Sequence, residues 1–210
     1  LMDNGLDLEN FEQSDEFGVK LISFQEFMRA RKGATIVEGA AYSDKRQFTA
    51  NLHINALGGA PRLDVIYGGT SEQCLPTDEI IKHAQAKALA MGINLVVLYS
   101  SNHWSNHAIK LATGKSQHQA RIKLCMERCP IMTLKEATEV PYLVCHDMWP
   151  VNLTEEVKNA VLSGGPNGNS MYKGAKATGK TQINDTDIHR PVKCEYISQS
   201  TSWYDSRVSK

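Results

Sequence analysis

"QFTANLHIN", residues 47 to 55, decides the fold class. Phe48, Ala50, Leu52 and Ile54 alternate with Gln47, Thr49, Asn51, His53 and Asn55, the period of two that a strand with one buried face requires. Working outward, "GATIVEGAAYS" precedes it and "RLDVIYGG" follows it, with "ALGGAP" as the intervening turn. Residues 33 to 67 are therefore expected to form three consecutive antiparallel strands. The next segment, "LPTDEIIKHAQAKALAMG", switches to helical spacing: Ile80, Ile81, Ala84, Ala88, Leu89 and Met91 share a face. Thr77 stands at the cap position, Asp78 and Glu79 suit the first turn, and Gly92 stops the helix.

"INLVVLYSS" follows as a continuous apolar run, which predicts a strand buried on both faces in the middle of the sheet. Helices are expected from His103 to Ala112, from Gln117 to Arg128 and around Leu134 to Glu139. "PYLVCHDMW" suits a strand, "TEEVKNAV" fits a helix or a strand, and residues 181 to 210 carry little periodicity. Such an order predicts a mixed α/β sheet, three antiparallel strands and then parallel strands, with flanking helices.

Composition bounds the function. The 210 residues are 41% hydrophobic and 22% charged, ordinary for a domain with a proper core. No apolar stretch approaches the roughly 18 residues of a spanning helix, and no signal layout opens the chain. No membrane role is expected, and the chain is placed inside the cell, in the cytoplasm or nucleus. Five cysteines, Cys74, Cys125, Cys129, Cys145 and Cys194, include no CxxC pair and do not suggest a disulfide framework. The sequons at Asn152 and Asn184 would matter only in a secreted chain. The opening Leu1 suggests a piece excised from a longer protein.

Basic and acidic residues balance at 23 each, yet Asp3, Asp7, Glu9, Glu12, Asp15 and Glu16 crowd the first 16 positions with no lysine or arginine among them. This reads as an acidic N-terminal extension over residues 1 to 32, a solvated arm before a domain spanning 33 to 180. Residues 181 to 210 read as a basic-leaning C-terminal extension.

Several constellations carry chemistry only weakly. "HWSNH" sets His103 and His107 four apart, zinc-binding geometry on a helix, but Trp104 stands where a metalloprotease needs glutamate. Cys145, His146 and Asp147 are adjacent, so on a strand they alternate between faces and cannot form a relay by themselves. "GGPNG" lacks the lysine-serine/threonine ending of a phosphate loop, and "STSW" at 200 to 203 lacks the glutamate loop of an ADP-ribosyltransferase. An unrelated α/β enzyme using Cys145 or the histidine pair stays open as a further reading.

The order of elements, with "YGGTSEQCLPTDEIIKHAQAKALA", "VVLYSSNHWSNHAIK" and "GNSMYKGAKATG", resembles the ribonuclease H family. The resemblance implies a third strand leading to a helix with Glu79 at the family's glutamate position, a fourth strand ending at Ser101, and a late helix beginning at "GNS". Members of that family cut the RNA strand of an RNA-DNA hybrid with two magnesium ions held by converging carboxylates. On this alignment the first acid position is Gly39, the fourth-strand position is Ser101, and the late helix offers Ser170 and Lys173; only Glu79 is acidic. Lys173 would set an ammonium in the pocket, where an ion pair with Glu79 replaces the cations. A register slip would instead bring in Glu38, and Asp64, Asp78 or Asp147 would approach under a different strand assignment.

The expectation is a catalytically degenerate domain with no catalytic residue, no metal and no cofactor, serving as a scaffold for a protein or RNA partner. His103, Trp104, Lys173, Lys176 and Lys180 are its candidate nucleic-acid-binding residues, since backbone binding needs cations and stacking planes. The other functional expectation is an active, metal-dependent nuclease with rearranged carboxylates. The sequence names no oligomeric state.

Overall fold

Alternation does fix the strand at Gln47–Asn55 and its antiparallel pairing with the strand that follows it, while the strand expected at residues 33 to 43 lies outside the described residues and the other described partner comes from further upstream. In the computed structural model, which describes residues 10–21, 47–147, 149–162, 167–172 and 188–208, the sheet begins with β1 at Phe11–Lys20. Strand β2 is Gln47–Asn55, and β3 is Arg62–Gly68. β1 and β2 run antiparallel with Phe17 opposite Ala50 and Val19 opposite Phe48. β2 and β3 pair antiparallel with Leu52 opposite Leu63. The β2–β3 turn closes through Asn55, whose side-chain oxygen accepts from the Gly59 amide at 2.7 Å. Gly58 takes φ +83°, which a side chain at that position would resist.

Helix α1, Asp78–Ala90, follows its sequence signals, with Thr77 at its cap position. It leads into β4, Asn94–Ser100, which runs parallel to β3. The remaining elements are α2 (His107–Arg128), α3 (Leu134–Glu139), β5 (Tyr142–His146), α4 (Glu155–Leu162), β6 (Gly168–Tyr172) and α5 (Arg190–Val208). The six strands lie in the order β4-β3-β2-β1-β5-β6, and only β2 opposes the others.

Five expectations change. The acidic stretch is not wholly an extension: Phe11, Phe17 and Val19 give β1 enough apolar surface to enter the sheet, and its acids find partners on the helices. Among the described residues the apolar run at β4 forms an edge strand, because its pairing there is with β3 alone and α1 covers only part of it. His103 lies in a loop, and the two helices expected between 103 and 128 are one, begun by Asn106, whose side chain accepts from the Ile109 amide at 3.0 Å. "GNSMY" is a parallel strand rather than a helix start, its residues alternating between half-buried and exposed. The tail contains α5, a helix with little amphipathic pattern, anchored by Tyr196, whose hydroxyl donates to the Leu21 carbonyl at 2.8 Å.

Apolar packing occupies both faces. On the α5 side, Phe17, Val19 and Ala50 pack with Phe48, Leu52, Leu63 and Tyr196. On the α2 side, Tyr142, Val144, Val157 and Val161 pack with Leu111, Val151 and Leu162. Gly114 permits α2 and α4 to touch, since a Cβ there would lie 3.2 Å from Val161. Among the described residues no helix is long and apolar enough to cross a membrane.

The α2 side also buries charge. Asp64, fully buried on β3, accepts from Arg62 Nε at 2.7 Å and lies 3.2 Å from both His53 Nε2 and Asn51 Nδ2. Arg62 in turn donates to Ser116 of α2 at 2.7 Å, tying the helix to the sheet. Burial alone would raise the Asp64 carboxyl, but the bond and charge of His53 and those of Arg62 together hold it below its ordinary value. Its folded value is depressed, so its stabilisation is present above the unfolded value of 3.8 and is lost as pH falls through the lower folded value. Asp64→Asn leaves the Arg62 charge buried without its counter-ion and is expected to cost about 3–5 kcal/mol in urea unfolding near neutral pH. The deficit relative to wild type should shrink in acid.

A candidate acidic site beside the central strand

β1 and β5 are neighbours, with Phe11 opposite Leu143, Glu12 opposite Val144 and Gln13 opposite Cys145. One residue further, Ser14 Oγ and His146 Nδ1 lie 3.4 Å apart. Asp15 follows Ser14 on β1, and Asp147 follows His146 at the end of β5. Both line a cavity of about 390 Å³ at this end of the sheet, together with Ser14 and Glu16 of β1 and Lys110 of α2. Trp104, Trp149 and Asn152 complete its wall from two short turns.

Each acid is held differently. Glu16 pairs with Lys110 at 2.5 Å and accepts weakly from the Ser105 amide at 3.5 Å. Asp15 accepts from the Glu16 amide at 2.8 Å, and its other oxygen lies 4.0 Å from Nδ1 of buried His189, just before α5. Asp147 accepts from Asn152 Nδ2 at 2.8 Å. Burial raises the Asp147 carboxyl above its ordinary value; Glu16 adds to this, while Lys110 and the Asn152 bond oppose it. A half-buried acid with a raised value, beside other acids in a cleft, is the electrostatic pattern of a functional site.

Of the residues singled out from sequence, Asp147 and Trp104 line the cavity, and the other described ones do not. Glu79 is exposed in the first turn of α1, and Ser101 is exposed just beyond edge strand β4. Neither lines the cavity. Gly39, Glu38, Lys173, Lys176 and Lys180 lie outside the described residues. Ser170 sits on β6, Asp64 is locked in the buried network, and Asp78 is exposed at the start of α1. Trp104 does reach the cavity, while neighbouring His103 turns away to bond Gln47 at 2.5 Å. His107 begins α2 and lies 3.9 Å from Glu156. Cys145 is buried in β5, and His146 faces Ser14, so the Cys-His-Asp run forms no relay.

Asp15, Glu16 and Lys110 were not legible as a site. Their signal was present in "FEQSDEFGVK", where Phe11, Phe17 and Val19 punctuate the acids at odd positions, as in a strand. Acidic excess masked it.

A mixed sheet in which β1 lies between an antiparallel neighbour, β2, and a parallel one, β5, with helices on both faces and acids midway along β1 and just past the end of β5, is a ribonuclease H-like fold. Solved structures agree. A complex described as the Mos1 mariner paired end complex with Mn is similar over 95% of this chain and 48% of that one, at TM-score 0.56 and 10% identity. The Mos1 transposase paired-end complex with left transposon end gives TM-score 0.52 and 9% identity over 95% and 47% of the two chains. What is shared at this identity is the fold, and the present chain spans about half the length of those chains. No protein-family model and no curated protein matches the sequence.

Because Asp147 has a raised value when folded, its ionisation opposes folding between its unfolded and folded values, and stability falls as pH rises through that window. Asp147→Asn is therefore expected to raise the unfolding midpoint at neutral pH by a few degrees in thermal denaturation. Lys110→Met removes the opposing charge and should move the Asp147 carboxyl higher still in a carbon-detected NMR titration.

Proposed function

We propose that this domain acts on a nucleic-acid phosphodiester at the cavity, with Asp15 and Asp147 holding a divalent cation between adjacent strands. The observation that carries it is that Asp15 and Asp147, on neighbouring chain segments, line one cavity and offer two hard oxygen ligands to it, where Asp147 already resists ionisation. Among the described residues, no group of three or more His, Cys, Asp or Glu side chains is close enough to hold a metal. Two carboxylates still suit magnesium or manganese, which retain several waters and are often bound through one or two carboxylates plus substrate phosphate. When bound, such a cation would activate water and offset charge on the phosphoryl oxygens.

The chain's own groups prepare this. Lys110 offsets Glu16, so the cavity is less anionic than three bare carboxylates would make it. Asn152 fixes the Asp147 carboxylate by donating to it. Asp15 is held by the Glu16 amide, which leaves its second oxygen oriented toward His189. The Mos1 neighbours, one captured with a transposon end and another with Mn, add fold-level support for nucleic acid as substrate.

A second reading has its own support. The Lys110 ammonium already sits in the cavity against Glu16 and could fill the place of a dication, which would make the domain a non-cleaving module that holds nucleic acid or a protein. A manganese-dependent assay on labelled DNA and on an RNA-DNA hybrid separates the two. Cleavage of either is expected, lowered about 100-fold or more by Asp15→Asn and by Asp147→Asn, the scale of losing one electrostatic partner of the transition state. Glu79→Gln should change it little. Absence of cleavage, with nucleic acid still bound, would establish the second reading.

A further inference from the structure

Two tryptophans line the acidic cavity, and each rides on a turn that is also bonded to one of its acids. Trp104 stands on the loop after β4. Its carbonyl accepts from Ser100 Oγ at 2.7 Å, its amide donates to Asn102 Oδ1 at 3.3 Å, and the next amide, of Ser105, reaches Glu16. His103, immediately before it, takes φ +58°, a conformation that a non-glycine residue adopts at a cost and that the surrounding bonds must hold. The indole is nevertheless 37% exposed. A strained, braced loop that presents a large aromatic ring partly to solvent is poorly explained by packing alone.

Trp149 is placed in the same manner from the other side. Pro150 follows it and confines it to extended backbone, observed at φ −78° and ψ 139°. Its carbonyl accepts from the Asn152 amide at 2.9 Å, and the Asn152 side chain bonds the Asp147 carboxylate. The positions of the two indoles are thus coupled to those of Glu16 and Asp147.

We infer that Trp104 and Trp149 are stacking platforms for one unpaired nucleobase, so that the substrate is a nucleic-acid strand with an unstacked nucleotide at the reacting phosphate rather than an intact duplex. This rests on the proposed function of the same cavity and specifies its substrate. Size supports it: about 390 Å³ admits a nucleotide, whereas a stacked duplex is far too wide to bring a base between the tryptophans and the acids. Chemistry supports it too. Among the described residues the cavity offers one lysine, Lys110, against Asp15, Glu16 and Asp147, so contact of these groups with the backbone alone is electrostatically unfavourable, and base stacking supplies attraction that needs no cation.

The test uses the full chain and fluorescence anisotropy in calcium, compared with EDTA, on labelled duplexes that are blunt, that carry a short overhang, or that carry the same overhang with an abasic nucleotide at its junction. Deoxyribose and ribose overhangs are run side by side. The overhang is expected to bind more tightly than the blunt duplex, with the abasic site weakening it about tenfold, within the range of one lost base–aromatic stack. Trp104→Ala or Trp149→Ala should weaken the intact overhang and remove most of the abasic penalty, while Trp149→Phe retains it. Retention of the penalty in at least one sugar series supports the clamp. Equal binding of abasic and intact overhangs by the wild-type chain in both series overturns it, without requiring any variant to fold. Cleavage plays no part in this readout, so a failed clamp with intact manganese-dependent cleavage leaves the proposed function standing, and the converse result does the opposite.

Discussion

Burying an acidic strand at the heart of a sheet is the constraint on which the rest depends. β1 carries Glu12, Asp15 and Glu16, and such a strand enters a fold only if partners meet the acids on both faces. On one side α2 supplies them: Gln117 to Glu12 and Lys110 to Glu16. On the other, His189 approaches Asp15 just before α5. The helices therefore neutralise the strand as well as cover it, and the apolar clusters around Phe17 and around Val144 fill the space between these polar contacts.

The same arrangement creates the site. Residues midway along β1 are matched by α2, but toward its C-terminal half the neighbouring β5 ends at His146, and the chain turns away through Pro150. Asp15 and Asp147 are left at the margin of that gap, where burial is partial. Partial burial has two effects at once: it raises the Asp147 carboxyl, and it leaves room for a small ligand.

Much of the fold was legible in the sequence, and the reasons are local. β2 announced itself by strict alternation, although its polar Thr49, Asn51 and His53 are buried too, and α1 by spacing and first-turn acids, although Ile80, Leu89 and Met91 of its expected apolar face are exposed among the described residues. β5 and the α3 turn were also readable. The topology was less so. An apolar run such as β4 looks like a central strand, yet pairing decides its place, and among the described residues its pairing with β3 alone puts it on the edge. β6 and α5 lack strong periodicity, so neighbours fix them: Val144 stands opposite Ser170, and Tyr196 packs on Phe48. The site was hidden for an electrostatic reason. Six acids in the first 16 positions resemble a solvated tail, and nothing local reveals that Lys110 or His189 will meet them from far along the chain. Trp104 and Asp147 were singled out beforehand, and the structure brings both to the cavity.

The account stands on Asp15 and Asp147 sharing one cation. Paramagnetic broadening of carboxyl carbon resonances by substoichiometric manganese measures this directly, without substrate or turnover. Asp15 and Asp147 should broaden together at the lowest additions, while Asp64 in its buried network and Glu79 on α1 stay sharp. Broadening that begins at Glu79 and spares the strand acids would contradict it.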